Sequence, residues 1–185
     1  EVGQQQPCII RPISDAKYQY EIIAGERRWR AAKHAGIKLK VIIRALDDHE
    51  AAIVQASENA HRKDLSDYAK GMSYAKLIAN NVLAPNELIS KLGISQAQVS
   101  RLLSFAKIPR EVNEAIADYS KVTARTAAEI RSLAHKGDAY VNALIQLAPK
   151  IASGKLGGNK LISTVEKMIV EPVAHSSAKT IDVKT

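Results

Sequence analysis

Gly25-Glu26-Arg27-Arg28-Trp29-Arg30-Ala31 is the stretch on which the rest of the chain turns. It follows an apolar run, Tyr20-Glu21-Ile22-Ile23-Ala24, that predicts a short strand, and it leads into Ala31-Ala32-Lys33-His34-Ala35, which predicts a helix stopped by Gly36. A glycine at a strand-to-helix junction lets the backbone turn tightly and approach a ligand. The helix start behind it offers N–H groups without intrahelical partners and a partial positive charge. Three arginines in that first turn oppose the helix dipole and repel one another, so the placement costs stability unless an anion sits there. A polyphosphate is the expected occupant, and a solvated basic face is the plain alternative. At about 100° per residue Arg27, Arg30 and His34 share one face, while Arg28, Ala31, Ala32 and Ala35 share another, small enough to lie close on a sheet.

Outward from this turn, Pro7-Cys8-Ile9-Ile10-Arg11-Pro12 predicts a first strand, and Ser14-Asp15-Ala16-Lys17 is turn material that returns the chain into the second. After the helix, Lys40-Val41-Ile42-Ile43-Arg44 predicts a buried strand with basic ends. Asp47 with Glu50 three residues on predicts a capping box, opening a helix that runs through Ile53 and Ala56 to Glu58-Asn59. Its end reads Glu58-Asn59-Ala60-His61-Arg62-Lys63-Asp64-Leu65. A carboxylate, an amide and an arginine this close together can hold a hydrated Mg2+ beside a triphosphate, because Mg2+ takes oxygen ligands and keeps substrate phosphates in its shell. A capped, solvated helix end is the alternative. Ser66 opens the next helix, with Met72, Ala75, Ile78 and Ala79 expected as its core stripe.

From Pro85 the pattern becomes a helix-turn-helix at about 86–103. Asn86 to Leu92 predicts a short helix, Gly93 the turn, and Ser95 the cap of a second helix whose Val99, Leu102 and Leu103 face the core. Ser95, Gln96, Gln98, Ser100 and Arg101 are left for the outer face. They suit base edges and phosphates, and the N-terminal residues of a recognition helix are the ones that reach bases. A structural helix pair in a bundle is the alternative. Beyond Pro109 the signals are all helical: 111–117, then 123–135 capped by Thr123, then 138–152 capped by Asp138, then 159–170 with Leu161, Ile162, Val165 and Ile169 inward. Pro172 ends regular structure, and 173–185 is expected to be a linker towards a C-terminal dimerisation domain.

Composition bounds what this can be. Apolar residues make up 46% of the 185, yet aromatics only 4%, which favours packed helices over a β-sandwich. The formal charge of +8 comes from 27 Lys and Arg against 19 Asp and Glu, making nucleic acid the leading partner and a membrane surface the second. No apolar run approaches the roughly 18 to 20 residues needed to span a bilayer. Cys8 is the single cysteine, so neither an internal disulfide nor a cysteine zinc site is expected, and the expected compartment is a reducing cytoplasm. Glu1-Val2-Gly3 carries neither an initiator Met nor a signal-peptide pattern, so a preceding segment is expected. The fold class is α+β, with a small mixed-sheet nucleotide-binding domain over 1–65 and an all-helical DNA-binding domain over 66–172.

Four blocks in order resemble the bacterial ParB family of partition proteins, across roughly the first 135 residues. Gly3-Gln4-Gln5-Gln6-Pro7 with Arg11-Pro12 resembles its first nucleotide-binding block; the stretch from Gly25 to Ala31 resembles the second and that from Glu58 to Leu65 the third, with the helix-turn-helix following. The resemblance implies CTP bound with Mg2+ and a palindromic, centromere-like double-stranded DNA site. It also implies homodimers that CTP closes into a sliding clamp, with slow hydrolysis reopening it. Arg27, Arg28 and Arg30 would then hold the triphosphate, with Gly25, Glu26 and Ala31 around it. Glu58 and Asn59 would serve the metal and hydrolysis, Arg62 would contact phosphate, and Gln4, Gln5, Gln6, Pro7 and Arg11 would border the nucleotide. A ParA-type ATPase would engage an N-terminal arm absent from this chain, and the expected place is the cytoplasm, on nucleoid or plasmid.

Two features depart from the family pattern: Ser66-Asp67-Tyr68-Ala69-Lys70 replaces the usual Asn-Pro and acidic run, and His61-Arg62-Lys63 is more basic than usual. Both lean towards a plasmid-borne member. Ile89 stands where helix-turn-helix motifs usually carry a small residue against the second helix, so wider packing between the two helices is expected there. Two other classes fit parts of the sequence: a repressor without a nucleotide switch, and a small-molecule kinase on a similar nucleotide domain.

Overall fold

Strand β1 (Cys8–Pro12) lies in the middle of a three-stranded sheet of order β2-β1-β3. The structure, a computed structural model, describes residues 3–62 and 64–170. Lys63, Pro172 and the expected linker of 173–185 lie outside the described residues, as does the side chain of His61. Strand β2 (Tyr20–Ala24) runs antiparallel to β1 with Arg11 opposite Glu21, and β3 (Val41–Ile43) runs parallel to it with Ile9 opposite Ile42. The sheet is therefore mixed, as the sequence predicts. Asp15 makes the hairpin turn: its Oδ1 accepts from the N–H of Lys17 and of Tyr18 at 2.8 and 3.0 Å.

Helix α1 (Glu26–Ala35) joins β2 to β3, and α2 (Asp48–His61) follows. The capping box at Asp47 forms as expected, with Asp47 Oδ1 accepting from Glu50 N at 2.7 Å and Glu50 Oε2 from Asp47 N at 3.1 Å. Helix α2 packs on β2 and buries Ala51, Ala52 and Ala56. Then come α3 (Asp67–Ala79), α4 (Pro85–Leu92), α5 (Gln96–Leu103), α6 (Arg110–Ile116), α7 (Ala124–Ala134), α8 (Asp138–Ala152) and α9 (Gly158–Val170).

The packing divides the chain into two units. The first takes residues up to 65 with 69–103; the second takes 66–68 with 104 onward. Helices α4 and α5 thus belong with the sheet, where α4 packs on α2 and α5, and not with α6–α9. In the second unit α8 packs on α6, α7 and α9 around Val112, Ile130, Leu144, Leu161 and Val165. Tyr68, Phe105 and Tyr119 form an aromatic cluster there, with Tyr68 and Tyr119 stacked at 4.9 Å and each edge-on to Phe105.

Four local expectations are corrected. Strand β3 is not buried: Val41, Ile42 and Ile43 are 39, 48 and 56% exposed, because β3 is an edge strand bordering only β1. An unbroken apolar run suits a strand covered on both faces, and nothing in it distinguishes an edge. The alanine face of α1 buries only Ala32. In α3 the inward line is Gly71, Tyr74, Ala75 and Ile78 while Met72 and Ala79 are exposed, since burying the Tyr74 ring sets the helix phase. Asp138 is the first residue of α8 and not its cap; Gly137, at a φ of 125° open to glycine, takes that place.

Candidate nucleotide site and DNA-reading helices

The turn from β2 into α1 depends on Gly25. Its φ of 97° lies where L side chains are strained, and a Cβ would stand 2.7 Å from Cys8 Sγ and 2.9 Å from Arg28 Nη2. Beneath it the buried Cys8 thiol donates to the Gly25 carbonyl over 3.3 Å, and the same carbonyl accepts from the N–H of Arg28 and of Trp29. No side chain caps the start of α1. The amides of Glu26 and Arg27 and the positive dipole end are thereby left for another acceptor.

A cavity of about 1100 Å3 opens at this turn. That is slightly above the usual range for small-molecule sites, and roomy enough for a nucleoside triphosphate. One wall is Tyr20, Ile22, Ile23 and Ala24 of β2. A second is Gly25, Glu26, Arg27, Arg28, Trp29 and Ala31. The third is the end of α2, with Gln55, Glu58, Asn59 and Arg62, followed by Asp64. Two stretches about thirty residues apart in sequence, each predicted separately to handle phosphate, therefore face one space.

The charges are arranged around Asp64. Its Oδ2 meets Arg27 Nη1 at 3.0 Å and Arg62 Nη2 at 2.8 Å, and its Oδ1 accepts from Arg62 Nε at 3.0 Å. Hydrogen bonding to Arg62 holds the Asp64 carboxyl down at about 2, and the same bond raises the guanidinium of Arg62. Arg28 Nη1 donates to the carbonyls of Gln6 and Pro7, each at 2.7 Å, fastening the N-terminal segment to α1.

Other expected residues stand apart from the cavity. Arg30 pairs with Glu26 one helical turn back and is not among its lining. Arg11 is 14% exposed and binds Glu21, Asp48 and the Leu46 carbonyl, so it ties the hairpin to the start of α2; its pKa is raised by the bonds to Asp48 and then Glu21. Gln4 acts as a backbone substitute, its Nε2 donating to Lys40 O at 2.8 Å and its Oε1 accepting from Lys40 N at 2.7 Å. Gln5, Gln6 and Pro7 likewise do not line the cavity.

Sequence reasoning missed Gln55, Trp29 and Asp64 as lining. For Gln55 a signal existed: 55, 58, 59 and 62 follow the i, i+3, i+4, i+7 spacing of one helix face. Glu58 is exposed and Asn59 half-buried, and among the described residues no cluster of three His, Cys, Asp or Glu could cage a metal. This donor set fits Mg2+, which binds through one or two protein oxygens with water and phosphate completing the shell, and does not fit an all-protein cage.

Two short helices joined by a turn, α4 and α5, stand where the sequence predicts a helix-turn-helix. Gly93 takes the left-handed conformation at φ 64°, and Leu88, Leu92, Val99 and Leu102 are buried between the helices. Ser95 Oγ accepts from Gln98 N at 3.2 Å, the capping bond expected of it. Ser95, Gln96, Ser100 and Arg101 are exposed, while Gln98 is half-buried. Pro85 sits in the first turn of α4, where Glu87 Oε2 accepts from Ala84 N at 2.8 Å and Glu87 Oε1 meets His49 Nε2 of α2 at 2.8 Å.

The ParB N-terminal domain family matches residues 1–60. A nucleoid occlusion protein of Geobacillus sp. is 40% identical over 62% of this chain and 40% of that protein. The chromosome-partitioning protein ParB of Caulobacter vibrioides is 32% identical over 86% of this chain and 57% of that protein. Among solved structures, C-terminally truncated ParB from Caulobacter crescentus, complexed to the centromeric parS site, aligns with a TM-score of 0.60 and 29% identity over 88% of this chain and 81% of that one. The CTP-gamma-S complex from the same organism aligns at a TM-score of only 0.31, too low to bear on the nucleotide site. The chain belongs to the ParB family. It spans about two fifths to three fifths of the length of these curated relatives. Among the described residues no helix is long and apolar enough to cross a membrane.

Proposed function

We propose that this chain is the nucleotide- and DNA-binding part of a DNA-segregation protein, in which CTP with Mg2+ occupies the cavity at Gly25 and α5 reads a palindromic duplex site. The observation that carries the reading is the convergence, within one unit, of an uncapped helix start, Arg27, Arg28 and Arg62, and the Glu58–Asn59 pair on one cavity. Family membership and the likeness to the Caulobacter chromosome-partitioning protein and its parS-bound form support it.

In this reading the α1 amides, Arg27, Arg28 and Arg62 hold the phosphates, while Trp29 and the β2 side chains exclude water from one side. Arg30 supports Glu26 at the rim and contributes less. Glu58 and Asn59 hold Mg2+, which when bound neutralises phosphate charge. Glu58 also orients water for slow hydrolysis. Two copies engage through their nucleotide-binding units to close a clamp on DNA, and a ParA-type ATPase is a further partner. On DNA, Gln96 and Gln98 meet base edges and Ser95, Ser100 and Arg101 the backbone, Arg101 being able to serve guanine as well.

The Geobacillus relative's name favours a second outcome from the same parts, nucleoid occlusion rather than segregation. Mapping bound DNA in cells separates them: one centromere-like locus supports segregation, and sites dispersed over the chromosome support occlusion.

The test is calorimetric titration of CTP, ATP, GTP and UTP with Mg2+, with and without candidate palindromic duplex. Binding selective for CTP is expected, with Glu58→Gln retaining binding and losing turnover. No binding to any nucleotide under either condition would leave a plain helix-turn-helix repressor as the better reading.

A further inference from the structure

Asp64 occupies the position between Arg27 and Arg62 that an anion entering the cavity would want. The two guanidiniums come from different elements, one from the first turn of α1 and the other from the residue that closes α2, and one carboxylate joins them. Its contact with Arg62 is two-point, Oδ1 on Nε and Oδ2 on Nη2, the same fork that a phosphate presents to an arginine. Arg27, Arg62 and Asp64 all line the cavity. Asp64 is half-exposed, at 50%, and stands in the short segment between α2 and α3, so nothing in the core requires its charge.

We propose that Asp64 is an internal competitor for the phosphate seat: it holds Arg27 and Arg62 when no ligand is bound, and an incoming polyphosphate must displace it from at least one of them. The inference rests on the nucleotide reading above and extends it by naming a residue that sets affinity by opposing the ligand.

Two consequences follow. Without an anion, two arginines close together would repel each other, and Asp64 offsets that repulsion, so the seat stays assembled when the ligand leaves. With the ligand present, each protein ion pair broken is exchanged for an ion pair to phosphate, and the net gain is smaller than the phosphate contacts alone would supply. A ligand whose phosphates reach only the α1 amides and Arg28 binds without disturbing Asp64. One that also reaches Arg27 and Arg62 meets the competition. Asp64 is ionised throughout the working pH range, since its carboxyl titrates at about 2, so the competition is constant and is not a pH switch.

The experiment uses inorganic tripolyphosphate and CTP, each titrated with Mg2+ into the wild-type chain, Asp64→Asn, Arg62→Gln and the double variant. Asp64→Asn keeps the size of the side chain and deletes its charge. Exposed ion pairs are weak individually, so the expected gain in affinity for tripolyphosphate is about three- to tenfold. In the Arg62→Gln background the Asp64 substitution should change affinity by less than about twofold, because half of the competed seat is already gone. A carboxylate that served only to position Arg62 would act the other way, and Asp64→Asn would bind more weakly than wild type. Equal or weaker binding by Asp64→Asn, with wild-type CTP binding intact, overturns this inference alone. If neither anion binds the wild-type chain, the nucleotide reading fails and this inference with it.

Discussion

Gly25→Ala tests how the cavity is built, and the structure sets its size. The new Cβ would be 2.7 Å from Cys8 Sγ and 2.9 Å from Arg28 Nη2. The Arg28 contact is the far end of a flexible side chain and can move away. Cys8 is buried at 0% exposure and cannot, so that clash must be absorbed by shifting β1 or the turn. Forcing extra volume into close packing costs about 1–3 kcal/mol, and a left-handed backbone on a non-glycine residue adds about 1–2 kcal/mol. The sum, roughly 2–5 kcal/mol, is a large part of the stability of a typical domain. Cys8→Ala removes the obstructing sulfur, so the double variant should recover the packing share and keep the backbone share. A coupling of about 1–3 kcal/mol between the two positions is expected. Trp29, the sole tryptophan, stands four residues from the turn and reports unfolding of this unit by fluorescence in urea. Gly25→Ala within about 0.5 kcal/mol of wild type, or a coupling indistinguishable from zero, would refute the argument that the turn is held close against Cys8.

Three further outcomes are expected. Arg28→Ala should weaken CTP binding roughly tenfold or more, because a charge-assisted bond is worth about 1.5–3 kcal/mol, whereas Arg30→Ala, whose partner is Glu26, should weaken it much less; equal losses by calorimetry would place Arg30 in the cavity after all. Asp64 titrates at about 2, below its ordinary value, so the stabilisation it lends is complete above about pH 4 and is lost as pH falls towards 2; acid titration of Asp64→Asn should lack that share of the loss. Gln96→Ala, on the exposed side of α5, should cost about 1–3 kcal/mol on cognate duplex and little on scrambled duplex, while Gln98→Ala, being half-buried, should also lower stability; equal losses on both DNAs would remove α5 as the specificity element.

Local chemistry was legible wherever a residue type has one dominant physical use. The Asp47–Glu50 capping box, Ser95 and Thr123 as caps, Gly93 as a left-handed turn and the glycine hinge at 25 all follow from backbone needs that few side chains meet, and each forms where the sequence predicts it. The α+β class followed from the same signals in order. Other features were not legible because they depend on partners distant in the chain. Whether Val41-Ile42-Ile43 is covered depends on its place at the sheet edge, and the phase of α3 depends on where Tyr74 finds room. The arginines show the division most clearly. Sequence alone determined that cations crowd the start of α1 and the end of α2, since composition and spacing are local properties. Only the tertiary structure decided which of them share a cavity: Arg27, Arg28 and Arg62 line it, Arg30 turns to Glu26, and Arg11 joins the hairpin to α2. The reason is that a side chain of that length can reach several acceptors, and which one it takes is settled by the fold that brings a carboxylate or carbonyl within hydrogen-bonding distance.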